Sequence, residues 1–224
     1  MTTNEHMSEE FGCPFFSVII TTYNRSALLK RALDSLINQT ERDWEAIIVD
    51  DGSTDDTAFA VLPYLETRSK IRYVKQENAG YSCAKNTGIF LSRGKFITFL
   101  DSDDEYNSKH LEMRNDILLN NPNVEFLHGG VKVIGSEYVP DRFDFKKMIP
   151  LDDCKIGGTF FIKREVAVSF NGFKKMPIGS DGDFFERINK AGVNIMKTQI
   201  PTYIYHRDSA DSITNNLKTE HEKI

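Results

Sequence analysis

Residues 16–26 read FSVIITTYNRS and residues 44–53 read WEAIIVDDGS, and these two stretches decide the fold. Each is an apolar, β-branched run of strand length that stops abruptly in polar, turn-prone residues. Between them Leu28/Leu29, Ala32/Leu33 and Leu36/Ile37 recur at helical spacing, which lays one apolar stripe along a helix ending near Gln39. Ser26 is placed to cap that helix. Downstream, Ala58, Val61, Leu62 and Leu65 give a second helical stripe, and IRYVKQ returns as a strand. The unit is β-α-β-α-β, so the strands are parallel and both faces of their sheet are covered by helices.

The same rhythm continues outward. A helix is expected from about Ser82 to Leu91, then the strand KFITFL running into the acidic LDSDDEY, then a helix from Ser108 to about Leu119. The second half is less regular. VEFLHGGVKVIG and GGTFFIKR read as strands, and Asp181 to Ala191 as a helix with Phe184, Phe185 and Ile188 inward. NIMKTQIPTYIYH reads as a closing strand pair broken at Pro201. The expected class is α/β with a Rossmann-like, mostly parallel central sheet. The polar residues 1–14 form an extension expected to be disordered, and residues 15–224 form a single domain.

Composition narrows the function. The 224 residues carry 28 Lys+Arg against 33 Asp+Glu, a net charge of −5, which argues against a nucleic-acid binder. The apolar runs, such as Val18-Ile19-Ile20, fall far short of the ~18 residues a membrane helix needs. The start, MTTNEHMSEE, lacks the basic and apolar regions of a secretory signal, and the end, NNLKTEHEKI, offers no basic amphipathic anchor. Cys13, Cys83 and Cys154 are widely spaced with no C-x-x-C, which fits neither a disulfide framework nor a zinc ribbon. A cytoplasmic location is the expectation, with peripheral association at the inner face of the membrane left open.

In an open parallel sheet, ligands gather beyond the carboxyl ends of the strands. Thr21-Thr22-Tyr23-Asn24, Asp50-Asp51-Gly52-Ser53 and Asp101-Ser102-Asp103-Asp104 all sit there. Packing three carboxylates into residues 101–104 is costly unless a hard cation or solvent offsets their repulsion. An isolated match of this kind is more often a solvated turn capping the next helix; following a buried strand, it points to a divalent metal. The EF-hand spacing fails, because Tyr106 occupies the position that requires glycine. A receiver domain is a poor fit, because a whole β-α unit precedes Asp50-Asp51. No G-x-G-x-x-G follows the first strand and no G-x-x-x-x-G-K-[ST] occurs, so a nucleotide must be held without a glycine-rich phosphate cradle. Tyr23 can stack on a base, Asp51 can accept from a base N–H, and a metal at Asp103 can hold a diphosphate. Asp181-Gly182-Asp183 opens a helix with Arg187 at i+4 from Asp183, which alone suggests an ordinary helix salt bridge; beside a metal-diphosphate site, a carboxylate at a helix start can serve as a general base. His206 ends the last strand; it suits Mn²⁺ if the chain folds back to Asp103, and is otherwise an ordinary packed histidine.

Read in order, SVIITTYNR, IVDDGSTDDT, ENAGYSCAKNTG, FLDSDD, IGGTFFIKREV, NGF and SDGDFFERI resemble the successive signatures of family 2 glycosyltransferases of the GT-A fold. The resemblance runs from about Phe16 to Ser212. It implies an inverting transferase, dependent on Mn²⁺ or Mg²⁺, that passes a sugar from a nucleotide diphosphate, most often a UDP-sugar, to a hydroxyl of a glycan or lipid-linked oligosaccharide. It also implies a nucleotide-binding half in residues 15–105 and an acceptor-binding half in residues 106–224. By the same resemblance Thr21 and Tyr23 line the base pocket, Asp51 reads the uracil edge, and Lys85 faces the diphosphate in place of the usual arginine. Asp101 lies nearer the ribose and sugar, Asp103 holds the metal, and Asp181 is the catalytic base, preceded by Ser180 where glutamate is common. His206 is a candidate second metal ligand, while Ser209 stands where many members place histidine. Two rivals stand beside this reading: a nucleotidyltransferase, which would want a glycine-rich loop after the first strand, and a non-catalytic sugar-nucleotide-binding subunit of a polysaccharide assembly complex.

Overall fold

The structure, a computed structural model, describes residues 12–208 apart from residues 68, 69 and 145. Most of the polar N-terminal extension and the segment carrying Ser209 and Ser212 lie outside the described residues. The first half follows the periodicity of the sequence: β1 (Phe16–Thr22), α1 (Ser26–Ile37), β2 (Trp44–Asp50), α2 (Thr57–Thr67), β3 (Ile71–Lys75), α3 (Tyr81–Leu91) and β4 (Phe96–Phe99). Then come β5 (Glu105–Tyr106), α4 (His110–Asn120), β6 (Phe126–His128), β7 (Val131–Ile134), β8 (Tyr138–Pro140) and β9 (Met148–Pro150). The chain closes with β10 (Phe161–Lys163), α5 (Arg164–Ser169), α6 (Ser180–Lys190), β11 (Ile195–Lys197) and β12 (Tyr203–His206).

The central sheet has seven strands in the order β11-β6-β10-β4-β1-β2-β3. β1 pairs in parallel with β2 and β4, and β2 with β3. β10 runs antiparallel to both β4 and β6, so the sheet is mixed but mostly parallel. Alternation along β1 serves two cores. Phe16, Val18 and Ile20 face Leu29, Leu33 and Leu36 of α1 and Val61 of α2. Ile19 turns the other way, with Phe99 of β4, toward Ile89, Val166, Phe184 and Ile188 of the opposite layer. Burial on both faces is why β1 and β2 read as unbroken apolar runs rather than alternating ones.

Several local expectations are corrected. Ser26 is the first residue of α1 and Arg25 holds the cap position; the Ser26 N–H bonds Asp55 instead of the serine capping the helix. Leu62 is 46% exposed, because it lies about 100° around α2 from the buried Val61 and misses the face turned to α1. VEFLHGGVKVIG is two strands: Gly129 and Gly130, at φ 91° and 77°, turn the chain out of the central sheet into a three-stranded sheet, β5-β12-β7. The β8–β9 hairpin and α5 carry no clear periodic signal, since strands of three residues and a helix of six are too short to repeat a pattern.

Candidate active site

The carboxyl ends of β1, β2 and β4 open into one cleft of about 680 Å³, whose far wall is the start of α6. Thr21, Tyr23, Asp51, Lys85, Asp101, Asp103 and Asp181 all line it, together with Arg25, Tyr81, Gly179 and Tyr205. One of the expected site residues, His206, does not.

The two loops that follow β1 and β2 are zipped together by short side chains. The Asn24 N–H donates to Ser53 Oγ at 2.9 Å, and Asn24 Oδ1 accepts from the Thr54 N–H at 2.7 Å. Asn24 does this from φ 51°, a left-handed conformation that asparagine tolerates. Tyr23 beside it stays 47% exposed, a ring free to meet a flat partner. Asp51 is buried and braces the loop opposite. It accepts from Gln76 Nε2 at 2.7 Å and from the N–H groups of Ala79 and Gly80 at 3.0 and 2.8 Å. A carboxylate has about four acceptor positions, so one is left for a ligand N–H.

Lys85, on α3, is the buried cation of the cleft. Its Nζ lies 3.4 Å from Asp181 Oδ1 and 3.7 Å from Asp101 Oδ1, above the rings of Phe173 and Phe99. Burial alone pushes its pKa down, but Asp101 and Asp181 outweigh burial and hold it above the usual lysine range. The ammonium thus couples the D-x-D acid to the acid of α6.

Asp181 is fixed by a close backbone. The Gly157 N–H donates to its Oδ2 at 3.0 Å, and a Cβ at Gly157 would lie 2.6 Å from that oxygen. Ser180, buried before it, has no hydrogen-bond partner for its hydroxyl among the described residues. Asp183, one turn into the helix, is spent on Arg187 at 2.8 Å and Lys174 at 3.3 Å.

The three acids after β4 have three different roles. Asp101 opens to the cleft. Asp103 is paired with Arg25, Nη1 to Oδ2 at 2.7 Å; burial raises its pKa and the guanidinium only partly counters that. Asp104 turns inward, accepting from Tyr203 Oη at 2.6 Å and the His206 N–H at 2.8 Å, and burial with the charges of Asp101 and Asp103 holds its pKa well above the carboxylate range. It staples β12 to the acidic loop rather than facing the cleft.

His206 stands outside the cleft lining. Side chains alternate along β12, so Tyr205 faces the cleft and His206 faces away; its Nε2 lies 2.7 Å from Glu105 Oε1 and its Nδ1 3.6 Å from Asp208 Oδ1. Its N–H bonds Asp104, while Asp103 faces the cleft that His206 does not line. Among the described residues, no three His, Cys, Asp or Glu side chains converge as a metal cage. The donor set still fits Mg²⁺ or Mn²⁺, which bind through one or two carboxylates and take their remaining ligands from phosphates and water. Asp103 and Asp101 supply such carboxylates on the cleft wall. Sequence reasoning missed Arg25 and Gly157. Arg25 was visible as a cation directly after the first strand's polar cluster, whereas Gly157 owes its importance to a long-range approach that no local pattern carries.

A nucleotide-sized cleft at the strand ends of a mixed sheet, with a D-x-D loop and a helix-start aspartate facing each other across it, defines the class as a GT-A-type α/β protein. The model of the family described as "Glycosyl transferase family 2" matches residues 17–162, and the chain belongs to that family. It is 32% identical over 147 residues to the UDP-Glc:alpha-D-GlcNAc-diphosphoundecaprenol beta-1,3-glucosyltransferase WfgD of Escherichia coli, covering 63% of this chain and 56% of that protein. It is 42% identical over 94 residues to the GalNAc(5)-diNAcBac-PP-undecaprenol beta-1,3-glucosyltransferase of Campylobacter jejuni, covering 41% of this chain and 30% of that protein. The chain therefore spans about half or less of the length of these two relatives. Among solved structures, S. aureus TarS 1-349 in complex with UDP-GlcNAc matches at TM-score 0.75 and 22% identity, over 88% of this chain and 60% of TarS 1-349. The mannosyltransferase PcManGT from Pyrobaculum calidifontis, in complex with GDP-Man and Mn2+, matches at TM-score 0.68 and 22% identity, over 86% of this chain and 56% of that one. These likenesses establish the fold. Among the described residues, no helix is long and apolar enough to cross a membrane.

Proposed function

We propose that this chain is an inverting glycosyltransferase that moves a sugar from a nucleotide diphosphate, a UDP-sugar, to a hydroxyl of a lipid-linked glycan. The observation that carries the reading is that the Asp181 carboxylate faces Asp101 and Asp103 across a single cleft, with Lys85 between them. The UDP donor and the undecaprenol-linked acceptor follow the two named relatives and the UDP-GlcNAc complex of TarS. In this reading residues 15–105 bind the nucleotide and residues 106–224 the acceptor.

Tyr23 stacks on the base while Asp51 takes the base N–H with its remaining acceptor position, and Thr21 completes the pocket. Asp101 meets the ribose and sugar. Asp103 holds a divalent cation, Mn²⁺ or Mg²⁺, whose chemistry when bound is to offset charge on the diphosphate. Lys85 adds a buried positive charge on the leaving-group side, where a low local dielectric makes it count for more than it would in water. Asp181, immobilised by the Gly157 N–H, takes the proton of the acceptor hydroxyl. The acceptor oxygen then bonds to the anomeric carbon as the bond from that carbon to the phosphate oxygen breaks; the electron pair leaves with the nucleoside diphosphate, and configuration inverts. The proton ends on Asp181.

The test joins binding to turnover. Thermal unfolding is measured against nucleoside diphosphates and nucleotide sugars, each with and without Mn²⁺; a ligand at about a hundred times its Kd adds ~2.7 kcal/mol. The expected result is stabilisation by one nucleotide that depends on metal, and an Asp181→Asn protein that keeps this stabilisation while turnover falls by roughly 10²- to 10⁴-fold. Binding without turnover in the wild-type protein, with acceptor present, would make it a sugar-nucleotide-binding subunit instead.

A further inference from the structure

We propose that Arg142 is a positioning residue for the carboxylate of Asp181, acting on the backbone that carries it; this rests on the reading of Asp181 as the base. Arg142 lies in the turn that joins β8 to β9, far from α6 in sequence. Its side chain nevertheless lies over the first turn of that helix, in the space left by two glycines that flank Asp181. At Gly179 a Cβ would fall 2.7 Å from Arg142 Cδ and 2.9 Å from Arg142 Cβ. At Gly182 a Cβ would fall 2.8 Å from Arg142 Nη1, and among the described residues Arg142 is the only one such a Cβ would meet within 4 Å, outside the helix's own backbone and its immediate neighbours.

The guanidinium is tied at two places, one before the helix and one about two turns along it. Nη1 makes a long contact of 3.5 Å to the Gly179 carbonyl, and Nη2 pairs with the Glu186 carboxylate. The Phe143 ring stacks 4.5 Å away and is itself 84% exposed, while the Arg142 side chain beneath is only 19% exposed. A chain segment otherwise open to solvent thus commits one side chain to α6.

Helix stability does not call for this arrangement. A cation at a helix N-terminus opposes the macrodipole, and a glycine within a helix is unfavourable relative to alanine by about 1 kcal/mol. Both features make sense as a clamp. Gly179 sits at φ 81° to start the helix, Arg142 closes over it, and Gly182 leaves the space the guanidinium needs. Asp181 is then held by its own oxygens, through Gly157 and Lys85, and by its backbone on both sides.

The experiment compares Arg142→Ala, Arg142→Lys, Gly182→Ala and the double variant. A misplacement of about 1 Å costs around 10²-fold in rate, so Arg142→Ala and Gly182→Ala should each lower kcat by roughly 10- to 100-fold, with the donor KM and thermal midpoint nearly unchanged. Arg142→Lys should recover part of the loss. The double variant should be no worse than Arg142→Ala, because the methyl at 182 then has nothing to displace. Amide hydrogen exchange gives a readout that needs no turnover: Arg142→Ala should speed exchange across residues 180–187 and leave β1 and α1 as they were. Unchanged exchange there, unchanged kcat, or a Gly182→Ala effect that adds in full to Arg142→Ala would each overturn the proposal. If the wild-type protein turns over no donor, the reading of Asp181 as a base fails, and the exchange result alone decides whether Arg142 orders this turn.

Discussion

Arg25 Nη1 lies 2.7 Å from Asp103 Oδ2, so the carboxylate expected to meet a divalent cation is already paired with a guanidinium. Both side chains are mostly buried, and burial raises the Asp103 pKa even with Arg25 beside it. The ion pair offsets part of the cost of an unpaired buried charge, and an arriving metal must displace it. Arg25→Gln removes the competitor. Mn²⁺ titration calorimetry at pH 8, without nucleotide, should give binding about fivefold tighter than wild type, on the order of 1 kcal/mol. Equal or weaker binding would mean that the guanidinium does not compete for Asp103.

Lys85 answers two carboxylates at once, Asp101 at 3.7 Å and Asp181 at 3.4 Å. Methionine fills similar volume but leaves both acids facing each other without a cation. Lys85→Met should lower kcat/KM by about 10²-fold or more, the scale of losing a preorganised electrostatic contact. Lys85→Arg keeps the charge and should lose much less. Equal losses in the two variants, measured by steady-state kinetics, would show that shape rather than charge matters at this position.

At Gly157 the prediction concerns space. Alanine there puts a methyl 2.6 Å from Asp181 Oδ2, nearer than carbon and oxygen can approach, so the carboxylate must move. Gly157→Ala should lower kcat by around 10²-fold, the cost of misplacing a reacting group by about 1 Å. Nucleotide binding should persist, since Tyr23 and Asp51 lie on other loops. A variant that keeps full turnover would remove the Gly157–Asp181 contact from the catalytic argument.

How far the sequence showed this site depends on the distance over which each signal acts. The strands and helices from Phe16 to Phe99 were legible because each buries an unbroken run or a repeating stripe, and polar residues end each strand. Those ends carry Thr21, Tyr23, Asp51, Asp101 and Asp103, so this side of the cleft could be read locally. The rest depends on contacts between distant segments. Residues 124–135 look like one strand until Gly129 and Gly130 turn the chain between two sheets. His206 looks available until the alternation of β12 gives the cleft to Tyr205. Arg142 has no local pattern at all, because its partners, Gly179 and Glu186, lie on another element.

The last prediction uses pH. His128 is buried against Phe126 and Phe185; burial first, then the charges of Lys155 and Lys197, lower its pKa to about 4. An unfolded histidine titrates near 6.5. Between those values the unfolded chain binds a proton that the native protein refuses, so stability falls as pH drops below about 6.5 and stops falling on this account below about 4. The slope is ~1.4 kcal/mol per pH unit at its steepest, and from pH 7 to pH 5 the loss from this one group approaches roughly 2 kcal/mol. Buried Asp103 and Asp104, whose pKa values are raised, act in the opposite sense: they cost stability as pH rises through their native values. A difference between variants separates these contributions. In urea unfolding at both pH values, His128→Gln should lose roughly 2 kcal/mol less than wild type on acidification. Parallel losses in the two proteins would mean that His128 can accept its proton in the folded state, and that Lys155 and Lys197 do not hold its ring neutral.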